Sequence, residues 1–81
     1  MPPESSRAIF GARVRDLRRA QGWASQEAFA HHANMDRTYI SGIERGQRNP
    51  TLDVIVRLAT ALRVHPAELL ATLPDVDGEG S

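Results

Sequence analysis

Apolar residues recur along this chain at spacings of three and four, and nowhere do they alternate in the two-residue rhythm of a strand. Phe10, Val14 and Leu17 form one such stripe within Arg7 to Gln21, with Arg13, Arg15, Arg18 and Arg19 around it. Gly22 stands where a helix C-cap would end that segment. Ser25 is a good N-cap for a second helix to Ala33, which buries Phe29, Ala30 and Ala33. Asn34 follows, and asparagine tolerates the left-handed conformation that closes a tight turn. Asp36 then caps a third helix, Arg37 to Arg45, with Ile40 and Ile43 facing inward and Gly46 at its end. Arg48-Asn49-Pro50 reads as a loop, and Thr51 caps a fourth helix carrying Leu52, Ile55, Leu58, Ala59 and Leu62. Pro66 opens a short fifth helix to Leu73, with Glu68 in its first turn and Leu69, Leu70 and Leu73 along it. The pattern predicts one all-α domain of five helices over 7–73. A flexible segment 1–6 precedes it, and an acidic, glycine-containing tail, 74–81, is expected to be disordered.

Composition narrows the class. With 81 residues and no cysteine, the chain has one small core, and neither disulfides nor thiolate metal sites to staple it. Oligomerisation is the remaining way to bury more surface. His31, His32 and His65 show no metal-ligand spacing, so neither a metal nor another cofactor is expected. No signal segment or membrane-length apolar run is visible, so a cytoplasmic location is expected. The formal net charge is zero, which argues against a non-specific nucleic-acid coat protein. The charge is unevenly placed, however: residues 1–50 carry a net +3 and residues 51–81 a net −3. One basic face can therefore still meet phosphate. All ten basic residues are arginine, which suits bidentate contacts, although genomic base composition would produce the same bias.

The segment Ser25 to Glu44 meets four requirements of a helix-turn-helix together. Ala30 is small where two short helices must cross. Asn34 serves the turn, and Ile40 and Ile43 pin the second helix. Arg37, Thr38 and Ser41 leave its outer face polar and able to reach base edges. An ordinary solvated helix face is the plainer reading of those three residues. Asp36 reads better as a helix cap than as a base reader. Tyr39 suits either packing or DNA contact, and Trp23 is expected to pack over the core. No Gly-x-Ser-x-Gly setting or glycine-rich phosphate loop is present, so an enzyme is not expected.

These residues carry a resemblance. VRDLRRAQGW, SQEAFA, YISGIERG and NPTLDVIVRLATAL, in that order, resemble the phage lambda repressor/Cro-like (xenobiotic-response-element-type) helix-turn-helix proteins over Phe10 to Leu70. Within that family, DRTYISGIERGQRN is most similar to the controller proteins of restriction–modification systems. The resemblance implies a lambda-repressor-like fold and a homodimeric, sequence-specific transcriptional regulator on a near-palindromic DNA operator. It places Arg37, Thr38 and Ser41 against bases, and Gln26, Tyr39, Arg45 and Arg48 against phosphates. It makes Arg18 and Glu44 a structural ion pair between the first and third helices. Helix five and the end of helix four, through Leu69, Leu70 and Leu73, become the expected dimer interface. No small-molecule ligand is expected. The chain departs from the family in four ways: one extra residue before Ser25, expected to bulge the first turn; Asn34 in place of the common turn glycine; Asp36, a carboxylate at the DNA-facing end of helix three; and Gly42 where many relatives place a base reader. The rival reading is an antitoxin-type module that grips a toxin partner, with Asp75 to Ser81 folding on binding.

Overall fold

A computed structural model describes residues 5–74. Its elements are α1 (Ser6–Ala20), α2 (Gln26–Ala33), α3 (Arg37–Glu44), α4 (Leu52–Leu62) and α5 (Pro66–Leu70), with no strand among the described residues. Every helix begins at a side-chain cap. Ser5, Ser25, Asp36 and Thr51 accept the N–H of Ala8, Ala28, Thr38 and Val54, and the His65 ring accepts that of Ala67. Each cap satisfies one of the amides that a helix start leaves without a partner. The cap at Ser5 starts α1 at Ser6, inside the segment expected to be flexible; residues 1–4 and the acidic tail from Asp75 lie outside the described residues.

The turn residues behave as their chemistry dictates. Asn34 takes the left-handed conformation at φ 56°, and Gly22 and Gly46 end their helices at positive φ. Arg63 also closes α4 at φ 59°, a position that the sequence does not mark. Helix α5 is shorter than predicted. It ends at Leu70 and leaves Leu73 in a following turn, where its N–H donates to the Leu70 carbonyl. Pro74 disfavours helix in the residue before it.

The core comprises Phe10, Val14, Phe29, Ala30, Ala33, Ile40, Ile43, Leu58, Ala59, Leu62 and Leu69. Helix α1 packs on α3, α2 on α3 and α4, and α5 on α4 and α1. One expectation is corrected. Leu69 is fully buried in the core of its own chain, because its side of the short α5 faces α1 and α4, so it cannot serve a dimer contact. Leu52, in the first turn of the predicted stripe of α4, is 73% exposed. Trp23 covers the core edge as expected, stacking on His32 with centroids 4.5 Å apart and meeting Phe29 edge-on at 6.2 Å.

Candidate nucleic-acid interface

The platform beneath α3 is a buried polar cluster. Arg18 and Glu44 are paired through two bonds, Nε to Oε2 at 2.7 Å and Nη2 to Oε1 at 3.1 Å, with both side chains 2% exposed. The remaining guanidinium nitrogen donates to the Trp23 and Ala24 carbonyls at 2.6 and 2.9 Å. One residue in α1 therefore holds the first turn and the end of α3 together, with the Trp23 and Ala24 carbonyls of that turn bound to its guanidinium. Buried charges survive only when paired and hydrogen-bonded on all sides, and breaking such a pair costs about 3–5 kcal/mol. This cluster is the structural pair that the resemblance implies.

Gln26 belongs to the same cluster. Its amide Nε2 donates to Glu44 Oε1 at 2.9 Å, so a residue read as a phosphate ligand is first a bridge from α2 to α3. Nothing local to position 26 signals this bond: it follows from the burial of Glu44 against Arg18, which leaves a carboxylate oxygen in need of a further donor facing the start of α2.

Above this platform Arg37 and Thr38 are exposed and Ser41 half-buried, at the start and outer side of α3. Asp36 is spent on the cap, its Oδ1 accepting the Thr38 N–H at 2.7 Å, as the bland reading of that residue has it. Arg45 is exposed and rests against the Ser41 carbonyl at 3.4 Å. Tyr39 is half-buried against the core, and the Arg48 guanidinium lies over its ring at 5.3 Å from the centroid. Such a contact contributes roughly 0.5–1 kcal/mol at an exposed site. Three arginines, Arg37, Arg45 and Arg48, thus frame the exposed side of α3 with no carboxylate partner among the described residues. Arg13 is engaged elsewhere. It donates to the Glu68 carbonyl at 2.8 Å and pairs with its carboxylate at 3.2 Å, tying α1 to α5.

A second surface is apolar. Val56 and Leu70 are 45% and 40% exposed. Beside Leu70 opens a groove of about 130 Å³ lined by Phe10, Pro50, Ile55, Leu70 and Leu73. It lies between the start of α4 and the end of α5, and takes in Leu70 and Leu73.

Comparison with known proteins fits this geometry. The profile of the helix-turn-helix domain family matches residues 9–73. The control protein C.BamHI of Bacillus amyloliquefaciens is 47% identical over 64 residues, spanning 79% of each chain. The crystal structure of the restriction–modification controller protein C.AhdI from Aeromonas hydrophila superposes with a TM-score of 0.76 at 48% identity, covering 82% of this chain and 98% of that one. The controller protein C.Esp1396I, solved as a tetramer with its natural 35 base-pair operator, matches at 30% identity and a TM-score of 0.74, over 85% of this chain and 90% of that one. The chain belongs to the helix-turn-helix family and shares it with the restriction–modification controller proteins.

Proposed function

We propose that the protein is a sequence-specific DNA-binding transcriptional regulator, a restriction–modification controller that acts as a homodimer on a near-palindromic operator. One observation carries this reading: at the polar start of α3 the side chains of Arg37, Thr38 and Ser41 have no hydrogen-bond partner among the described residues, on a helix fixed from below by Ile40, Ile43 and the Arg18–Glu44 pair. A rigid helix with unspent donors is what major-groove readout requires. Arg37 reads a guanine through its O6 and N7, with Thr38 and Ser41 on adjacent bases. Arg45 and Arg48 clasp phosphates, as does the Tyr39 hydroxyl. Gln26 joins them through the amide hydrogen that Glu44 leaves unused.

The dimer reading rests on the apolar surface. Leu70 and Leu73 remain its candidates, joined by Val56 and Ile55 in place of the buried Leu69. Two subunits would set their α3 helices about 34 Å apart, one helical turn of DNA. Controller proteins, rather than toxin partners, are the relatives at 47% and 48% identity, so the antitoxin reading is not favoured.

Selection of bound duplexes from a random DNA pool tests the function. A near-palindromic consensus with half-sites one turn apart is the expected outcome. Recovery of sequences without any consensus would remove the regulator reading.

A further inference from the structure

Gly42 follows Thr38 by four residues, so it lies on the outer side of α3, one turn along from the base-reading residues. An outward glycine should be open to solvent, yet Gly42 is buried. The three heavy atoms nearest to where its Cβ would stand all belong to Arg48: Cγ at 2.9 Å, Nε at 3.2 Å and Cδ at 3.6 Å. The end of the same side chain lies over Tyr39, three residues earlier on the same helix. Arg48 therefore runs back from the loop after α3 and occupies the space that a side chain at position 42 would fill.

We propose that Gly42 is a positioning residue which, with the Tyr39 ring, pre-orders Arg48 on the DNA-facing side of α3. The inference rests on the DNA-binding reading above and adds a cause for the glycine. An arginine free in a loop loses rotamer freedom when it grips a phosphate. Here that loss is taken on folding, because the chain from Cγ to Nε lies in the gap at Gly42 and the guanidinium carbon lies over the Tyr39 ring at 5.3 Å from its centroid. A methyl group at position 42 would overlap the Arg48 stem and force it off the helix. A bare glycine in the middle of a helix lowers its stability relative to alanine, so the residue at this place is favoured by the contact rather than by the helix.

The test is Gly42→Ala, with Tyr39→Phe, Tyr39→Leu and Arg48→Ala beside it. Alanine favours helix more than glycine, so the thermal midpoint of Gly42→Ala should hold or rise, which a purely structural role would not give. In the free protein, the Arg48 Hδ resonances should be shifted upfield by the ring current of the chain's single tyrosine. That shift should persist in Tyr39→Phe and vanish in Gly42→Ala and Tyr39→Leu. Binding is measured on a duplex recovered by selection and on a fixed mixed-sequence duplex. Gly42→Ala should weaken both alike, by roughly two- to tenfold, since a phosphate carries no sequence information. In the Arg48→Ala background the same substitution should change nothing. An upfield shift retained in Gly42→Ala, unchanged binding, or an added loss on top of Arg48→Ala would each overturn the proposal. Wild-type protein that selects no consensus would instead overturn the DNA-binding reading and the proposal with it, so the two failures are told apart.

Discussion

The residues around α3 divide into those whose polar groups are already spent inside the chain and those whose groups are free. Arg18, Glu44 and Asp36 are spent: the first two on each other, the third on the Thr38 N–H. Gln26 is half spent. Arg37 is exposed and its side chain makes no hydrogen bond among the described residues, so the gain from a bidentate base contact is not offset by the loss of an internal one. Arg37→Ala is therefore expected to cost about 1–3 kcal/mol on the selected duplex and little on a mixed-sequence one, measured as binding isotherms at fixed salt. Equal losses on both would assign Arg37 to phosphate. The difference between Arg37 and Gln26 shows where sequence reading stops at this scale. The pattern around position 37 is local, a cap followed by a polar helix start, and it is legible. The bond from Gln26 depends on where Glu44 comes to rest eighteen residues away, which only the packing of α2 on α3 decides.

Individual helices were legible because their caps and apolar stripes are local, and the predicted starts at Gln26, Arg37, Leu52 and Pro66 agree with the structure. How helices approach one another is a different kind of information. The crossing of α1 over α3 is set by Gly11, a residue that reads from sequence only as a weak helix former. A Cβ there would overlap the Ile43 carbonyl oxygen and stand 2.9 Å from that of Glu44. The closeness lets Arg18, two turns further along α1, reach Glu44 at 2.7 Å. Gly11→Ala should thus act against its own helix propensity. Denaturant unfolding is expected to give a loss of at least about 1–3 kcal/mol, as overpacking does, because backbone on the facing helix cannot rotate away as a side chain would. A gain of stability, the ordinary result of replacing glycine within a helix, would mean that α1 and α3 are further apart than described. Gly11 and Gly42 are the same residue type in neighbouring helices, and the atoms over each decide opposite outcomes: backbone over the first, a movable arginine over the second.

At the scale of the whole molecule, the small core and the exposed apolar surface belong to one argument. A chain of this length buries limited surface alone, and here Val56 and Leu70 stay 45% and 40% exposed beside a groove lined by Phe10, Ile55 and Leu73. Covering that surface with a second copy would couple DNA affinity to protein concentration, since two linked recognition helices gain an avidity that neither has alone. Two adjacent leucines near the end of the domain then separate association from folding. Leu70 is partly exposed, so Leu70→Asp puts a carboxylate into the presumed contact without touching the core of the chain. It should remain folded by far-ultraviolet circular dichroism, sediment as a monomer, and bind the selected duplex weakly. Leu69→Asp places the same carboxylate at a position of zero exposure, where its charge has no partner, and it should unfold the domain instead. A folded Leu70→Asp that still sediments as a dimer would move the interface off this face. A folded Leu69→Asp would contradict the burial that takes Leu69 out of it.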